Sequence, residues 1–224
     1  MVPMCGRYSL FANKEDIAER FGFDLLEDFE WEERYNVAPS QEVMAIVGSD
    51  KGNRVGTLRW GLVPSWAADP KIGYKMINAR METVDQKPSF KRLLSRRRCI
   101  IPADGFYEWK RNGKEKQPYR FQLKSKEVFG FAGLWDRWQQ GDQTIQSCTI
   151  ITTEANDVVK DIHDRMPVIL TQESEQIWLD RSIEDSELLK TQLVSYPADE
   201  MELYPISSLV NSPKNDRREI INSI

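Results

Sequence analysis

One cysteine of the sequence lies in a setting that favours reactivity. Cys5 is part of the stretch MCGRY, where Gly6 leaves room for close approach and Arg7 favours the thiolate form of the side chain. Cys99 and Cys148 instead lie within apolar runs typical of strands, and we expect them to be buried packing residues. Cys5 is therefore the candidate nucleophile.

Two further side chains are suited to proton transfer. Glu108 lies in GFYEWK, where strand alternation directs it to the side of Phe106 and away from Tyr107 and Trp109. A carboxylate there is either an ordinary surface or edge residue or a partly buried one. Burial would raise its pKa and suit it to exchange a proton near neutrality. His163, the only histidine, is either a packed or solvated side chain or a proton carrier.

The stretch INARMETV alternates between polar and apolar side chains. As an extended strand it would place Asn78, Arg80 and Glu82 on one side and Ala79 and Met81 on the other. An amide, a guanidinium and a carboxylate in a row could bind a phosphate or a sugar. The same pattern is also typical of a solvated strand face.

Two aromatic stretches stand beside cations. RWGLVPSWA contains Trp60 and Trp66, and RYNVAPSQ contains Tyr35, Asn36 and Pro39. Aromatic rings near cations suit stacking against unpaired bases. Such tryptophans also fill protein cores, so both interpretations remain open.

The overall charge does not favour nucleic acid, but one segment does. The formal net charge of -4 gives no bulk attraction to a polyanion, whereas a local basic face would still attract one. The densest positive run consists of Lys91, Arg92, Arg96, Arg97 and Arg98. It predicts either a track for a phosphate backbone or a solvated helix face.

Composition indicates a globular protein of a reducing compartment. The 224 residues, 40% of them apolar and seven of them tryptophan, suffice for one substantial core or two small domains. Three widely spaced cysteines argue against a disulfide framework and a zinc site, so we expect a cytoplasmic protein without a metal. The sequence shows neither a run long enough to span a membrane nor the pattern of a secretory signal.

The apolar pattern predicts strands in the middle of the chain and helices towards its ends. Strands are predicted at 42–47, 55–62, 99–110, 117–123, 128–138, 145–155 and 166–170, and helices near 13–23, 87–98, 156–163, 171–180 and 185–193. Asn13 and Asn156 are the expected N-caps of two helices, and Gly22 the stop of the first. The C-terminal tail, residues 211–224, is polar and expected to be loosely held. This order favours an α+β fold with a mostly antiparallel, barrel-like sheet.

Taken together, eight stretches resemble the SOS response-associated peptidase (SRAP) family. In chain order they are MCGRY, RYNVAPSQ, RWGLVPSW, INARMET, CIIPADGFYEWK, FAGLWDRW, TIITTEAN and IHDRMPVIL. The resemblance implies a single SRAP domain, here residues 5–210, with a β-rich core and peripheral helices. It also implies binding of single-stranded DNA at abasic sites and a covalent DNA–protein crosslink made by an N-terminal cysteine.

The resemblance assigns roles to individual positions. Cys5 matches the crosslinking cysteine, and Asn78, Glu108 and His163 match the other active-site positions. The positions expected to hold the DNA strand are Arg7, Asn36, Pro39, Trp66, Arg80, Trp109 and Arg165. No cofactor is implied, and the expected partner is abasic single-stranded DNA, bound by a cytoplasmic monomer that joins the nucleoid when on DNA.

The chemistry requires a free amine on Cys5. An α-amine with a pKa of about 7.7–8.0 is partly neutral at pH 7, so it can attack the aldehyde of an opened abasic sugar. The neighbouring thiol can then close on the imine carbon and form a five-membered thiazolidine. Residues 1–4 are therefore expected to be absent from the active form or removed by self-cleavage.

Two other functions fit the same residues. The first is a cysteine peptidase that acts on other proteins, which would not need a free Cys5 amine. The second is a noncovalent binder of single-stranded DNA that uses the arginines and tryptophans.

Overall fold

The computed structural model describes residues 6–24, 30–113 and 115–224. The strands of these residues are β1 (Tyr8–Leu10), β2 (Arg34–Val37), β3 (Glu42–Ser49), β4 (Gly52–Trp60), β5 (Asn78–Arg80), β6 (Arg98–Ala103), β7 (Gly105–Asn112), β8 (Glu115–Leu123), β9 (Phe129–Gln140), β10 (Gln143–Glu154), β11 (Arg165–Pro167), β12 (Ile169–Leu170) and β13 (Met201–Pro205). The helices are α1 (Lys14–Phe21), α2 (Lys91–Arg96), α3 (Gln172–Leu179) and α4 (Ser186–Lys190). Within these ranges, no helix is long and apolar enough to cross a membrane.

Five strands close into a barrel. β10 pairs with β4, β4 with β3, β3 with β6, β6 with β9, and β9 again with β10. The β10–β4 pair is parallel and the other four pairs are antiparallel. A second, antiparallel sheet has the order β13-β8-β7-β1-β2. The predicted α+β fold with a mostly antiparallel, barrel-like core and peripheral helices is confirmed.

Local signals account for the first helix. The side chain of Asn13 accepts a hydrogen bond from the Asp16 amide at 2.8 Å, and Gly22 ends α1 with a φ of 62°. Ile17 and Phe21, one turn apart, are both buried in the core. The helix predicted from this stretch is therefore confirmed, with its cap and its stop.

The helix predicted at 156–163 is wrong, because the chain forms successive turns there instead. Asn156 does act as a cap, since its Oδ1 accepts from the amides of Val158 and Val159 at 3.1 Å each. The amides of Ile162 and His163 then both donate to the Val159 carbonyl, so the bonding pattern does not advance residue by residue as in a helix. These turns lead the chain directly into β11.

The expectation of a loosely held C-terminal tail is also wrong. Asp216 accepts hydrogen bonds from the Arg34 guanidinium at 2.6 Å and from the amides of Tyr35 and Asn36 at 2.5 and 2.9 Å. Ile220 is fully buried in a small apolar cluster. The tail thereby covers the edge of β2, which the polar composition of the segment did not reveal.

Candidate active site

Glu108 lies on β7 with its side chain directed into the protein. Phe106 packs in the main core, whereas Tyr107 and Trp109 pack in a second, smaller cluster. The predicted alternation is therefore correct, and it places Glu108 on the side of Phe106 with 3% of its surface exposed. Of the two alternatives, burial is the one that the structure shows. The raised pKa that burial would cause stays a prediction.

The last part of β10 carries strands on both sides that bring predicted site residues together. Thr152 pairs with Arg80 of β5 on one side and with Pro167 of β11 on the other. Asn78 begins β5 and Arg165 begins β11, so both lie next to this part of β10. Residues that are distant in sequence thus share one edge of the barrel.

Asn78 and His163 are both partly buried at this edge. Asn78 Nδ2 donates to the Ile150 carbonyl at 3.4 Å, a long bond that holds the amide weakly. His163 Nδ1 accepts the Arg165 amide hydrogen at 3.1 Å, which leaves the proton of a neutral ring on Nε2. Asp164 Oδ1 lies 3.0 Å from the same Nδ1. His163 is therefore contacted at Nδ1 by both of the residues that follow it.

Arg165 forms a two-pronged ion pair that the strand pattern did not predict. Its Nη1 and Nη2 lie 2.5 and 2.9 Å from the two carboxylate oxygens of Glu82, and Nη2 also donates to the Thr152 carbonyl at 2.8 Å. Burial opposes ionisation of Glu82, but the hydrogen bonds and charges of Arg165 and the charge of Arg80 leave its pKa lowered. The expected alternation through Glu82 is wrong, because β5 ends at Arg80 and a 3-10 helix, Met81–Thr83, turns the carboxylate towards Arg165.

A second group of predicted residues surrounds Arg7. Arg7 Nη1 donates to Asn36 Oδ1 at 2.7 Å and to the Val210 carbonyl at 2.6 Å, and the guanidinium lies 5.9 Å from the ring centre of Trp109. Trp109 in turn donates from Nε1 to Asn211 Oδ1 at 2.7 Å. Burial lowers the pKa of Arg7, although an arginine remains charged at neutral pH. Arg7 and Trp109 are therefore fixed relative to each other.

Asn36 supports this group from within the protein. It is fully buried, and its Nδ2 donates to the carbonyls of Val210, Ser212 and Asn215 at 3.2, 3.0 and 2.7 Å. Its Oδ1 accepts from Arg7. This placement does not fit the direct contact with DNA that the resemblance implies for Asn36. The side chain positions Arg7 and ties it to the C-terminal tail.

The remaining predicted binding residues lie at the surface. Trp66 has 60% of its surface exposed, whereas Trp60 is buried and donates from Nε1 to the Ile77 carbonyl. Arg80 is exposed, and Pro39 is half-buried in the turn between β2 and β3. Of the two tryptophans considered for stacking, Trp66 alone is available to a ligand.

A buried ion pair that the sequence did not reveal supports β1. Asp104 accepts from Ser9 Oγ at 2.6 Å and from the Phe11 amide at 2.5 Å, and Arg120 Nη2 lies 3.1 Å from its Oδ1. Arg120 reaches Asp104 across the sheet through a position that would hold a side chain if Gly105 were any other residue. ADGFYEWK and QPYRFQL read as ordinary strands, so only the paired strands could show this contact.

Cys5 lies outside the described residues, so its contacts stay predictions. Among the residues that the structure describes, no three His, Cys, Asp or Glu side chains are grouped to hold a metal ion. Cys99 and Cys148 are fully buried, and burial raises the pKa of both thiols, as expected of packing residues.

Comparison with known proteins identifies the family. A family model described as SOS response associated peptidase (SRAP) matches residues 4–213. The chain belongs to the SRAP family. This confirms the resemblance carried by the eight sequence stretches.

Relatives of this SRAP chain match it over nearly its full length. The abasic site processing protein YoqW of Bacillus subtilis (strain 168) is 53% identical over 223 residues, which cover 98% of this chain and 100% of the relative. The abasic site processing protein YedK of Escherichia coli (strain K12) is 31% identical and covers 99% of this chain and 100% of its own length. A crystal structure of a protein from Bacteroides thetaiotaomicron superimposes with a TM-score of 0.88 at 30% identity, covering 98% of this chain and 100% of the other.

Proposed function

We propose that this SRAP protein forms a covalent crosslink with abasic sites in single-stranded DNA through Cys5. Relatives named abasic site processing proteins support the class of lesion. The pairing of β1 with β7 supports Cys5 as the crosslinking residue. The two strands are antiparallel, and the Tyr107 amide donates to the Arg7 carbonyl at 3.0 Å. Counted back from the Tyr8–Phe106 pair, this register sets Gly6, the residue that follows Cys5, against the buried Glu108, and it is the observation that carries the proposal.

The proposed reaction uses both nucleophiles of one residue. The neutral α-amine of Cys5 attacks the aldehyde carbon of the opened deoxyribose, and loss of one water gives an imine. The thiol sulfur then adds to the imine carbon while the nitrogen takes up a proton, which closes the thiazolidine ring. At pH 7 such an amine is roughly 10–20% neutral, whereas an ordinary lysine is below about 0.1%. The closed ring consumes the aldehyde, so strand cleavage by β-elimination is suppressed.

Three other residues have proposed roles in these steps. Glu108 acts as the general acid and base for sugar opening and imine formation, because a buried carboxylate is suited to proton exchange near neutrality. His163 assists at the sugar hydroxyl and in reversal, with the Nε2 proton that its Nδ1 bond implies. The weakly held amide of Asn78 orients the Cys5 amine or the sugar.

The DNA strand is held by four of the candidate binding residues. Arg80 and Trp66 are exposed and suit a phosphate and a base, respectively. Arg7 and Arg165 are more buried, and each has an Nε that is buried without a hydrogen-bond partner among the described residues. These two donors support a role in binding a phosphate oxygen that enters the site.

Formation of the reactive amine is proposed to be an activity of the same site. The Cys5 thiolate attacks the Met4 carbonyl, and the Met4–Cys5 bond breaks as a thioester forms and the amine takes up a proton. Water then hydrolyses the thioester, which releases residues 1–4 and restores the thiol. The mature protein would shield abasic sites in exposed single strands during replication and the SOS response, as a cytoplasmic monomer.

The decisive experiment compares chains that begin at Cys5. Mixed with single-stranded DNA that contains one abasic site and then denatured, the mature chain should show a mass increase equal to the DNA minus one water. Cys5→Ala should show none, and a chain that keeps residues 1–4 should show an adduct only after cleavage.

The same experiment separates the alternatives. Turnover of an unrelated peptide by the mature chain, without any adduct, would indicate a cysteine peptidase. Retention of DNA under native conditions but not after denaturation would indicate a noncovalent binder. Either result would overturn the crosslinking proposal.

A further inference from the structure

A groove lies on the side of the barrel formed by α2, the middle of β9 and the end of α3. It has a volume of about 800 Å³ and also borders the β3–β4 hairpin and the loop that carries Trp66. None of the roles proposed above uses α2 or α3. The groove is defined here as the arginine groove.

Positive charge dominates the lining of the arginine groove. The side chains that face it include Arg54, Arg92, Arg96, Arg97, Arg137 and Arg181. Among its described lining residues, Asp136 supplies the one carboxylate, which accepts from the amides of Ser65 and Arg137 at 2.7 and 2.8 Å and lies 4.0 Å from Arg97, so five of the six arginines have no acidic partner within the lining. In a chain with a net charge of -4, this local excess of cations marks the groove as a site for a polyanion.

Acidic residues at the rim do not neutralise the arginines. Glu184 lies 3.6 Å from Arg96 and Asp50 lies 3.3 Å from Arg181, and all four side chains are more than half exposed. Exposed pairs of this kind are weak and are screened by salt. A chain of phosphates can therefore displace them.

The groove also offers aromatic surfaces. Trp66 is mostly exposed and lines it, and Trp135 lies beneath the guanidinium of Arg97 at 4.6 Å from ring centre to charge. Tryptophan rings and guanidinium planes stack on unpaired bases irrespective of sequence. A paired duplex would keep its bases away from these rings.

One arginine of the basic run has a different role. Arg98 is buried and donates to the carbonyls of Trp178, Leu94, Ser95 and Asp180, which fixes α2 against α3. Burial lowers its pKa to about 10, as expected for a cation removed from water. The sequence cluster is thus divided, with Arg98 buried and Arg92, Arg96 and Arg97 at the groove.

We propose that the arginine groove binds the phosphate backbone of the single-stranded DNA that flanks the abasic site. The proposal rests on the crosslinking function, since it extends the path of the same strand. Trp66 provides the continuity, because it belongs to the expected strand-binding set and also lines the groove. The aromatic lining favours an unpaired flank over a duplex.

The test compares short and long strands in two variants of equal charge change. The groove variant is Arg92→Ala/Arg96→Ala, and its control is Arg111→Ala/Lys116→Ala, an exposed cation pair on the β7–β8 hairpin. Each is mixed with an abasic single strand of about five nucleotides and with one of about twenty, because site sizes on single strands fall within this range. Binding is measured over a series of salt concentrations with the Cys5→Ala background, and crosslinking with intact Cys5.

The expected result separates the groove from the reaction. The groove variant should bind the long strand about tenfold more weakly, with a salt slope smaller by about 1.4 for two lost phosphate contacts. Its crosslinking to the short strand should equal that of the parent and of the control. Arg92→Lys/Arg96→Lys should restore long-strand binding.

Three outcomes would overturn the proposal. The first is an unchanged affinity for the long strand, and the second is an equal loss of affinity for the short and long strands. The third is a loss of affinity that appears only when the flank of the long strand is paired with a complementary strand. Failure of the parent protein to crosslink either strand would instead refute the underlying function, so the two failures are distinguishable.

Discussion

Arg165 and Arg7, two of the candidate binding residues, are held by partners that lie far away in the sequence. Glu82 is 83 residues from Arg165, and Val210 is 203 residues from Arg7. Each arginine nevertheless keeps a buried Nε donor without a partner among the described residues. An unpaired buried donor costs about 1–3 kcal/mol, so its retention in two of the candidate binding arginines is consistent with an anionic ligand.

The acid–base assignment is testable at Glu108. Glu108→Gln keeps the shape of the side chain but removes the exchangeable proton, so crosslinking should slow by about 100-fold or more. Noncovalent binding of abasic single-stranded DNA in the Cys5→Ala background should not change. The rate is measured by quenching into denaturant at timed intervals, with the exposed Glu127→Gln as control. A normal rate in Glu108→Gln would refute the assignment.

The ion pair of Glu82 with Arg165 predicts a pH-dependent contribution to stability. Glu82 has a lowered pKa in the folded protein, so its contribution is present above the ordinary glutamate pKa of about 4.3 and is lost as the pH falls through the lowered value. Because the Glu82 side chain is 40% exposed, solvent screens the pair, and Glu82→Gln should cost about 1 kcal/mol at pH 7. Urea unfolding at neutral pH and near pH 3 measures this difference. A cost that persists at acid pH would show that charge is not its origin.

At the scale of the elements, β10 and the C-terminal tail organise the site. β10 holds β5 and β11 on opposite sides of Thr152 and thereby brings Asn78 and Arg165 to one edge. The tail holds β2 through Asp216 and reaches Arg7 through Asn36. A polar segment outside the barrel therefore supports Arg7, which directly precedes β1 of the second sheet.

This dependence predicts that Asp216→Ala affects both stability and DNA binding. The Arg34 guanidinium and the amides of Tyr35 and Asn36 would lose their acceptor, at an expected cost of about 2 kcal/mol in the free energy of unfolding. The tail should become sensitive to limited proteolysis, and binding of abasic single strands should weaken as Arg7 loses its support. Asp199→Ala, at an exposed position, is the control. A tail that stays protected in Asp216→Ala would contradict the proposed role of Asp216.

At the scale of the whole molecule, the sequence predicted what is local and missed what depends on closure. Strand alternation correctly placed Glu108, and the Asn13 cap with Gly22 defined α1, because these signals lie within a few residues of one another. The parallel β10–β4 pair that closes the barrel carries no signal in either strand. The burial of Asn36 could not be predicted either, since its partners lie 174 to 179 residues further along. The family resemblance supplied the candidate site residues. The structure was needed to distinguish exposed candidates, such as Trp66, from buried ones, such as Asn36, that hold a neighbouring side chain.

The close packing of the barrel strands predicts that Gly133 does not tolerate a larger side chain. This residue of β9 lies opposite Cys99 of β6 and Ile150 of β10, and a Cβ there would stand 2.9 Å from the Cys99 sulfur and 3.1 Å from the Thr149 carbonyl oxygen. Gly133→Ala should therefore force the strands apart and reduce the free energy of unfolding by about 1–3 kcal/mol.

The matched control for this change is Gly56→Ala on β4, where the added methyl group would meet no atom within 4 Å. Removing the sulfur in the double variant Gly133→Ala/Cys99→Ala would relieve one of the two close contacts, so a cycle of single and double variants should show favourable coupling between the two positions. Urea denaturation of the four proteins measures it. If Gly133→Ala is no less stable than Gly56→Ala, the three strands do not pack as closely at this point as the barrel requires.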